Sequence, residues 1–302
     1  MKSRKDVYSD RMARQALEAE IQPDEGVLHS ILTMFRRNRA ALLGLVLILL
    51  IIAMAAAAPW IARYNPEGID LSSMRLPPSA QHWLGTDDLG RDVFARVVYG
   101  SRTSLLIGFV PSFISLVLGT TLGLMAGFLG RRVDSVIMRL ADVVLAFPSL
   151  LLAMVVMYTL GASLLNMFIA LSIIDWAGTA RVVRAQTLSL KEKEFVEAAR
   201  SMGVSRMAIV LRHILPNCLP NLIVLFTLNI PGAIMWESSM SFLGVGDPNS
   251  ASWGLMVSQG KQYAYMCPWL ILAPGLAILI TVMAFNFLGD GLRDAIDPYM
   301  KT

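Results

Sequence analysis

Residues 40–60, AALLGLVLILLIIAMAAAAPW, contain no Asp, Glu, Lys or Arg. A helix needs about 20 such residues to cross roughly 30 Å of hydrocarbon, where every backbone N–H and C=O must be satisfied internally. Similar runs recur at about 104–128, 135–160, 163–181, 219–242 and 268–289, the third interrupted by Pro148. Only 16% of the residues are charged and 55% are hydrophobic. A soluble globular domain has about 25% charged residues, so this chain is built for lipid. The expected fold is an all-α integral membrane protein with six transmembrane helices.

Six spans place both termini on one side. With the termini inside, 20 Lys and Arg residues fall on inner segments and 6 on outer ones. Positive charge marks the cytoplasmic loops, so both termini are expected in the cytoplasm. The resulting organisation is a cytoplasmic N-terminal segment (1–39), a first span (40–60), an external segment (61–103), a five-helix core (104–290) and a cytoplasmic tail (291–302). The core carries a cytoplasmic loop at 182–218. The first apolar run is too long for the core of a cleavable signal peptide. Cys218 and Cys267 fall near opposite membrane faces, which predicts no disulfide, and the Cys and His spacing predicts no metal site.

The cytoplasmic loop holds a polar, helix-forming stretch, EFVEAARSMGVSRMAIVLRHILPN at 194–217. Helix formers around Glu197, Ala198, Ala199 and Arg200 predict a short helix over 190–202 that stops at Gly203. A second run over 205–215 is expected to end at Pro216. Small residues at 198 and 199 permit close approach of another surface. Glu194, Phe195, Glu197, Arg200 and Met202 supply polar and apolar contacts. The segment is either a docking element or a solvated link between two spans.

The order Glu197-Ala198-Ala199, then Gly203, then Leu215-Pro216 resembles the EAA signature of ABC-importer permeases. The blocks HWLGTDDLGRDVFARVVYGSRTSLLIG (82–108), IMRLADVVLAFPSLLLA (137–153), SFLGVG (241–246), SWG (252–254) and AFNFLGDGLRDAIDP (284–298) resemble further family blocks in order. The chain is thus similar to the C-type permease subunit of dipeptide, oligopeptide and nickel importers. The resemblance implies a type I ABC-importer permease fold in the plasma membrane (the inner membrane of a Gram-negative cell). It implies a homologous second permease, two cytoplasmic ABC ATPases and an external solute-binding protein as partners, and no nucleic acid. The 194–203 segment would be the coupling helix that inserts into an ATPase. This chain has no G-x-x-x-x-G-K-[ST] phosphate loop. Cofactors are therefore expected on other chains, with ATP and Mg on the ATPases and none here.

Other residues keep two readings. Gly119, Gly123 and Gly127 share one helix face, which suits close helix packing or a substrate path. Asp142, Asp175 and Glu237 fall in or near spans, where ionisable groups are costly and face the bundle interior or a polar path. Asp142 has Arg139 one turn away as an expected ion-pair partner. Asp175 has Arg181 and Arg184 as partners or else lines the path. Glu237 contacts cargo amines or the binding protein, or hydrogen-bonds a neighbouring helix. Pro148, Pro231 and Pro274 are candidate kinks. Residues 85–100 suit an amphipathic helix lying on the membrane surface, or a docking surface for the binding protein. Import of nickel, an ion-coupled transporter using the three acids, and a membrane enzyme are the competing functions. The last has no nucleophile–base pair or metal motif to support it.

Overall fold

A computed structural model describes residues 38–296. The N-terminal segment and most of the C-terminal tail, with the basic residues assigned to the cytoplasm there, lie outside the described residues. The first helix, α1 (Arg39–Ala56), is capped by the Asn38 side chain, which accepts from the Ala41 N–H at 3.1 Å. A short α2 (Ala58–Ile61) follows after a break at Ala57. Together they match the expected first span.

The next helix, α3 (Val93–Leu129), is 37 residues long, or about 55 Å. Its cap is Asp92, which accepts from the Ala95 N–H at 2.7 Å. This corrects one expectation: residues 85–100 do not form a separate surface helix, because 93–100 are the first turns of α3. Val93, Ala95, Arg96, Val97 and Val98 are buried, because the helix packs against structure that the hydropathy of the segment conceals. Arg96 is neutralised inside by Asp87, at 2.6 Å, and bonds Gln259 at 2.9 Å.

The expected third span is two helices, α4 (Arg131–Ala146) and α5 (Ser149–Leu160), bent by 91°. Pro148 has no N–H, and a residue before proline avoids the helical region. Phe147 accordingly lies at φ −91, ψ 142. The helix carrying the fourth run, α6 (Leu164–Leu190), extends well past Arg181, so the segment expected at 182–218 begins as a helical continuation of it.

The polar stretch forms α7 (Glu194–Ser201). Beyond it, α8 (Arg206–Phe242) is continuous through Pro216, where the sequence suggests a stop. A π-helical turn over Val210–Ile214 explains this. The wider turn accommodates the ring and missing donor of Pro216. The Asn217 side chain then donates to the His213 carbonyl at 2.6 Å. Pro220 and Pro231 also lie inside α8. A short α9 (Trp253–Gly260) precedes α10 (Trp269–Ile296), which contains Pro274.

Among the described residues, four helices (α1, α3, α8 and α10) are long and apolar enough to cross a membrane, or five crossings if the bent pair α4–α5 counts as one. The helix α6 is not among them, since Asn166, Asp175, Arg181 and Arg184 interrupt its apolar surface. Packing nevertheless sets its direction. Gly119 lies against Thr179, Gly123 against Val183 and Gly127 against Thr187. The helices α3 and α6 therefore run parallel, and the chain between them must return through α4 and α5. At the other side of the bundle α1 is antiparallel to α10, with Ala41 beside Leu292 and Gly44 against Ala284 and Leu288.

Two ends of the bundle result. At one, Leu124 of α3, Val183 of α6 and Ile209, Ile214 and Cys218 of α8 cluster with Val196 and Ala199 of α7. At the other, residues 62–92 and α9 cover the tops of α1, α3 and α8. There Arg102 donates to the carbonyls of Ala55 and Ala56 at 2.6 and 3.1 Å, closing the C-terminal end of α1. Both cysteines are buried and unpaired.

Candidate functional site

A docking element has to be held from behind and open in front, and α7 has that form. Val196 and Ala199, one turn apart, are 0% and 1% exposed and fix the helix to the bundle. Glu194, Phe195, Glu197, Ala198, Arg200 and Met202 face outward, with Met202 77% exposed. Ala199 is thus directed into this chain's own core, which corrects the expectation that both alanines meet another surface. Glu194 and Glu197 occupy the first turn and Arg200 the last, the signs that favour the helix dipole.

The far end of α7 is a Schellman cap. Gly203 has φ +78, its N–H reaches the Arg200 carbonyl at 3.1 Å, and the Val204 N–H reaches the Ala199 carbonyl at 3.1 Å. The near end is tied by Lys191, whose Nζ donates to the Gly127 carbonyl at 3.2 Å. Through these contacts α7 is attached to both α3 and α8. Sequence reasoning overlooked Val196, Lys191 and the exposed Met207 beside the cap. The spacing of Val196 and Ala199, three apart on a short polar helix, was the available signal for the anchor.

The three acids separate. Asp142 is exposed and pairs at 2.5 Å with Arg181 of α6, so Arg139 is not its partner. A neighbouring pair joins Arg184 to Asp134, with a second bond from Arg184 Nη2 at 2.6 Å. Both arginines offered to Asp175 are therefore engaged by other acids. Asp175 is half-buried and has no side-chain hydrogen bond or ion pair among the described residues.

Glu237 is closed off rather than open to cargo, because it is 0% exposed. Its carboxylate accepts from Ser252 Oγ at 2.6 Å, Ser241 Oγ at 2.7 Å and Ser238 Oγ at 3.4 Å. Ser252 also caps α9, and a Cβ on Gly254 would stand 2.6 Å from Glu237 Oε2. The carboxylate thus sits against the N-terminal end of α9, where the helix dipole favours negative charge. Trp253, next along, bonds α3 through Ser104 Oγ at 3.0 Å and the Val97 carbonyl at 2.8 Å. The pair Glu237 and Trp253 therefore joins α8, α9 and α3.

The glycine stripe lies between helices. A Cβ at Gly119, Gly123 or Gly127 would come within 2.6 to 2.7 Å of atoms on α6. Among the described residues no cluster of His, Cys, Asp and Glu has the arrangement of a metal site.

With this geometry in hand, comparisons with known proteins are informative. Residues 119–302 match the family described as binding-protein-dependent transport system inner membrane component. Residues 27–78 match the N-terminal TM domain of oligopeptide transport permease C. The dipeptide transport system permease protein of Alkalihalophilus pseudofirmus is 43% identical over 268 residues, 88% of each chain. The oligopeptide transport system permease protein of Bacillus subtilis is 42% identical over the same shares. A glutathione transport system permease protein of Escherichia coli is 44% identical over 275 residues, 90% of this chain and 91% of that one. Among solved structures, the inward-facing MetNI methionine ABC transporter aligns with TM-score 0.55 at 21% identity. The alignment covers 67% of this chain and 97% of that one, which establishes a shared fold.

Proposed function

This chain belongs to the family of binding-protein-dependent transport system inner membrane components, and from that premise we propose that it is one of two permease subunits of an ATP-driven peptide importer. It is a multi-pass membrane protein. The cargo class rests on relatives named for dipeptide, oligopeptide and glutathione transport. The single observation that carries the coupling role is α7, anchored by Val196 and Ala199 with the rest of its surface open.

In this reading the chain crosses the membrane six times, with α6 as the fourth crossing and α4–α5 as a bent third. The end bearing α7 is cytoplasmic. A homologous permease completes the pathway, two ATPases hold ATP and Mg, and a solute-binding protein delivers peptide at the other end. The chain itself carries no ATP-hydrolysing site and acts by changing shape. ATPase closure pushes on α7. The Gly203 cap passes the displacement to α8, and the Lys191 bond passes it to α3. Each of these helices reaches the opposite end as one long rod. Delivery of cargo and ATP each bias one two-state equilibrium.

The test is purification of the tagged chain from its native membrane in mild detergent, with mass spectrometry of the proteins recovered. A second permease together with Walker-motif ATPases is the expected result. Recovery of this chain alone, transporting in liposomes without ATP, overturns the reading in favour of an ion-coupled carrier.

A further inference from the structure

The unpaired acid of α6 stands at a distinctive place. Asp175 lies about 17 Å along a helix of 27 residues, near its middle. An ionised carboxylate at mid-membrane depth costs about 2.5–3.5 kcal/mol on insertion scales and is retained where a partner compensates it. Every cation within reach on its own helix is already used, Arg181 by Asp142 and Arg184 by Asp134. Glu237, the fully buried acid of α8, has three serine hydroxyls as partners, whereas Asp175 has none among the described residues.

Its surroundings are also polar and open. One turn before it, Ser172 Oγ donates to the Phe168 carbonyl at 2.6 Å, with the Pro111 carbonyl of α3 3.5 Å away. Beside Pro111, the Ser112 hydroxyl is fully buried with no hydrogen-bond partner. Pro111 has no N–H, so the helix there lacks one backbone bond. One turn after Asp175, Gly178 is exposed and has nothing within 4 Å of where a Cβ would stand. The same face continues through the exposed Val182, Ala185 and Ser189. The exposed surface of α1, by contrast, is Leu42, Leu43, Val46, Leu49, Leu50 and Ile52, a surface suited to lipid tails.

Building on the peptide-importer reading, we infer that Asp175 is a cargo-contact residue in the translocation path and that its ligand is the protonated α-amino group of a peptide in transit. An importer that takes peptides of varied side chains has few constant groups to recognise. The free amino terminus is the one constant cation, and a lone carboxylate is its complement. The open space at Gly178 leaves room for the first residue beside the contact.

The test uses the assembled importer in proteoliposomes. Its binding protein is loaded with a peptide that it holds both free and N-acetylated, with each loading verified by direct binding. The wild-type assembly should carry the free peptide faster than the acetylated one. Asp175→Asn should assemble with the second permease normally, carry the free peptide at least tenfold more slowly, and carry the two forms at equal rates. Asp175→Glu should restore the preference. Free-peptide uptake at the wild-type rate in Asp175→Asn overturns the inference. So does an equal fall for both peptides, which marks a structural effect. Loss of the second permease from the purified Asp175→Asn assembly also overturns it, because Asp175 then pairs with a cation of that subunit. A wild-type assembly that carries neither peptide refutes the peptide-importer reading itself.

Discussion

Ala198 and Ala199 are adjacent and chemically identical, yet α7 turns one outward and packs the other at 1% exposure. Arginine at the two positions should therefore behave differently. Ala199→Arg forces a charge among Val196, Ile209 and Ile214 and should destabilise the fold by more than about 4 kcal/mol, read as lost monodispersity in detergent. Gly203 meets no neighbour, so the penalty for Gly203→Ala is backbone strain at φ +78, about 1–2 kcal/mol by thermal melting. Glu237→Ala leaves the hydroxyls of Ser241 and Ser252 without their acceptor in a closed site. A loss of about 2–4 kcal/mol is expected, and much less for Glu237→Gln, which keeps the volume and one acceptor. At the end of the bundle opposite α7, hydrogen bonds from Ser72 and Ser73 hold the Asp70 carboxyl below its ordinary value. A lowered carboxyl stabilises its turn above the unfolded value near 3.9 and releases it as pH falls through the folded value. The protection factor of the Ser72 amide, its exchange rate relative to the unstructured rate at the same pH, should therefore fall only in strong acid and be unchanged between pH 6 and 8.

At the scale of elements, the parallel contact of α3 and α6 decides the topology, and glycine makes it possible. Gly123→Leu should push these helices apart. A Cβ there already stands 2.7 Å from both the Ala180 carbonyl and Val183, so about 1–3 kcal/mol or more is lost, and folded yield should fall accordingly. The apolar runs were legible in the sequence because lipid imposes length and composition directly. The stop of α7 at Gly203 was legible because few other residues tolerate its backbone. The start of α3 was hidden, since Arg96 reads as a surface charge until Asp87 and Gln259 are seen around it. Pro216 read as a terminus because a π-turn is not encoded by any single residue. Hydropathy gave one straight span at 135–160, although Pro148 already marked the bend. The pairing of Asp142 with Arg181 instead of Arg139 depends on helix crossing, which local spacing does not contain.

For the whole molecule, two rods connect the ends of the bundle. One is α3, held by Lys191 at the end bearing α7 and by Trp253 at the opposite end. The other is α8, joined to α7 by the Gly203 cap and to α9 by Glu237. A push at α7 thus reaches α9 through covalently continuous helices, and α9 is bonded to both. Coupling rather than stability is the property that the outward face of α7 should control. The most direct measurement is ATP-dependent peptide uptake by the reconstituted importer carrying Ala198→Arg, alongside cargo-stimulated ATP hydrolysis. The account predicts normal insertion and pairing of the permeases with both activities reduced at least tenfold. Wild-type uptake and stimulation in Ala198→Arg would contradict α7 as the ATPase contact.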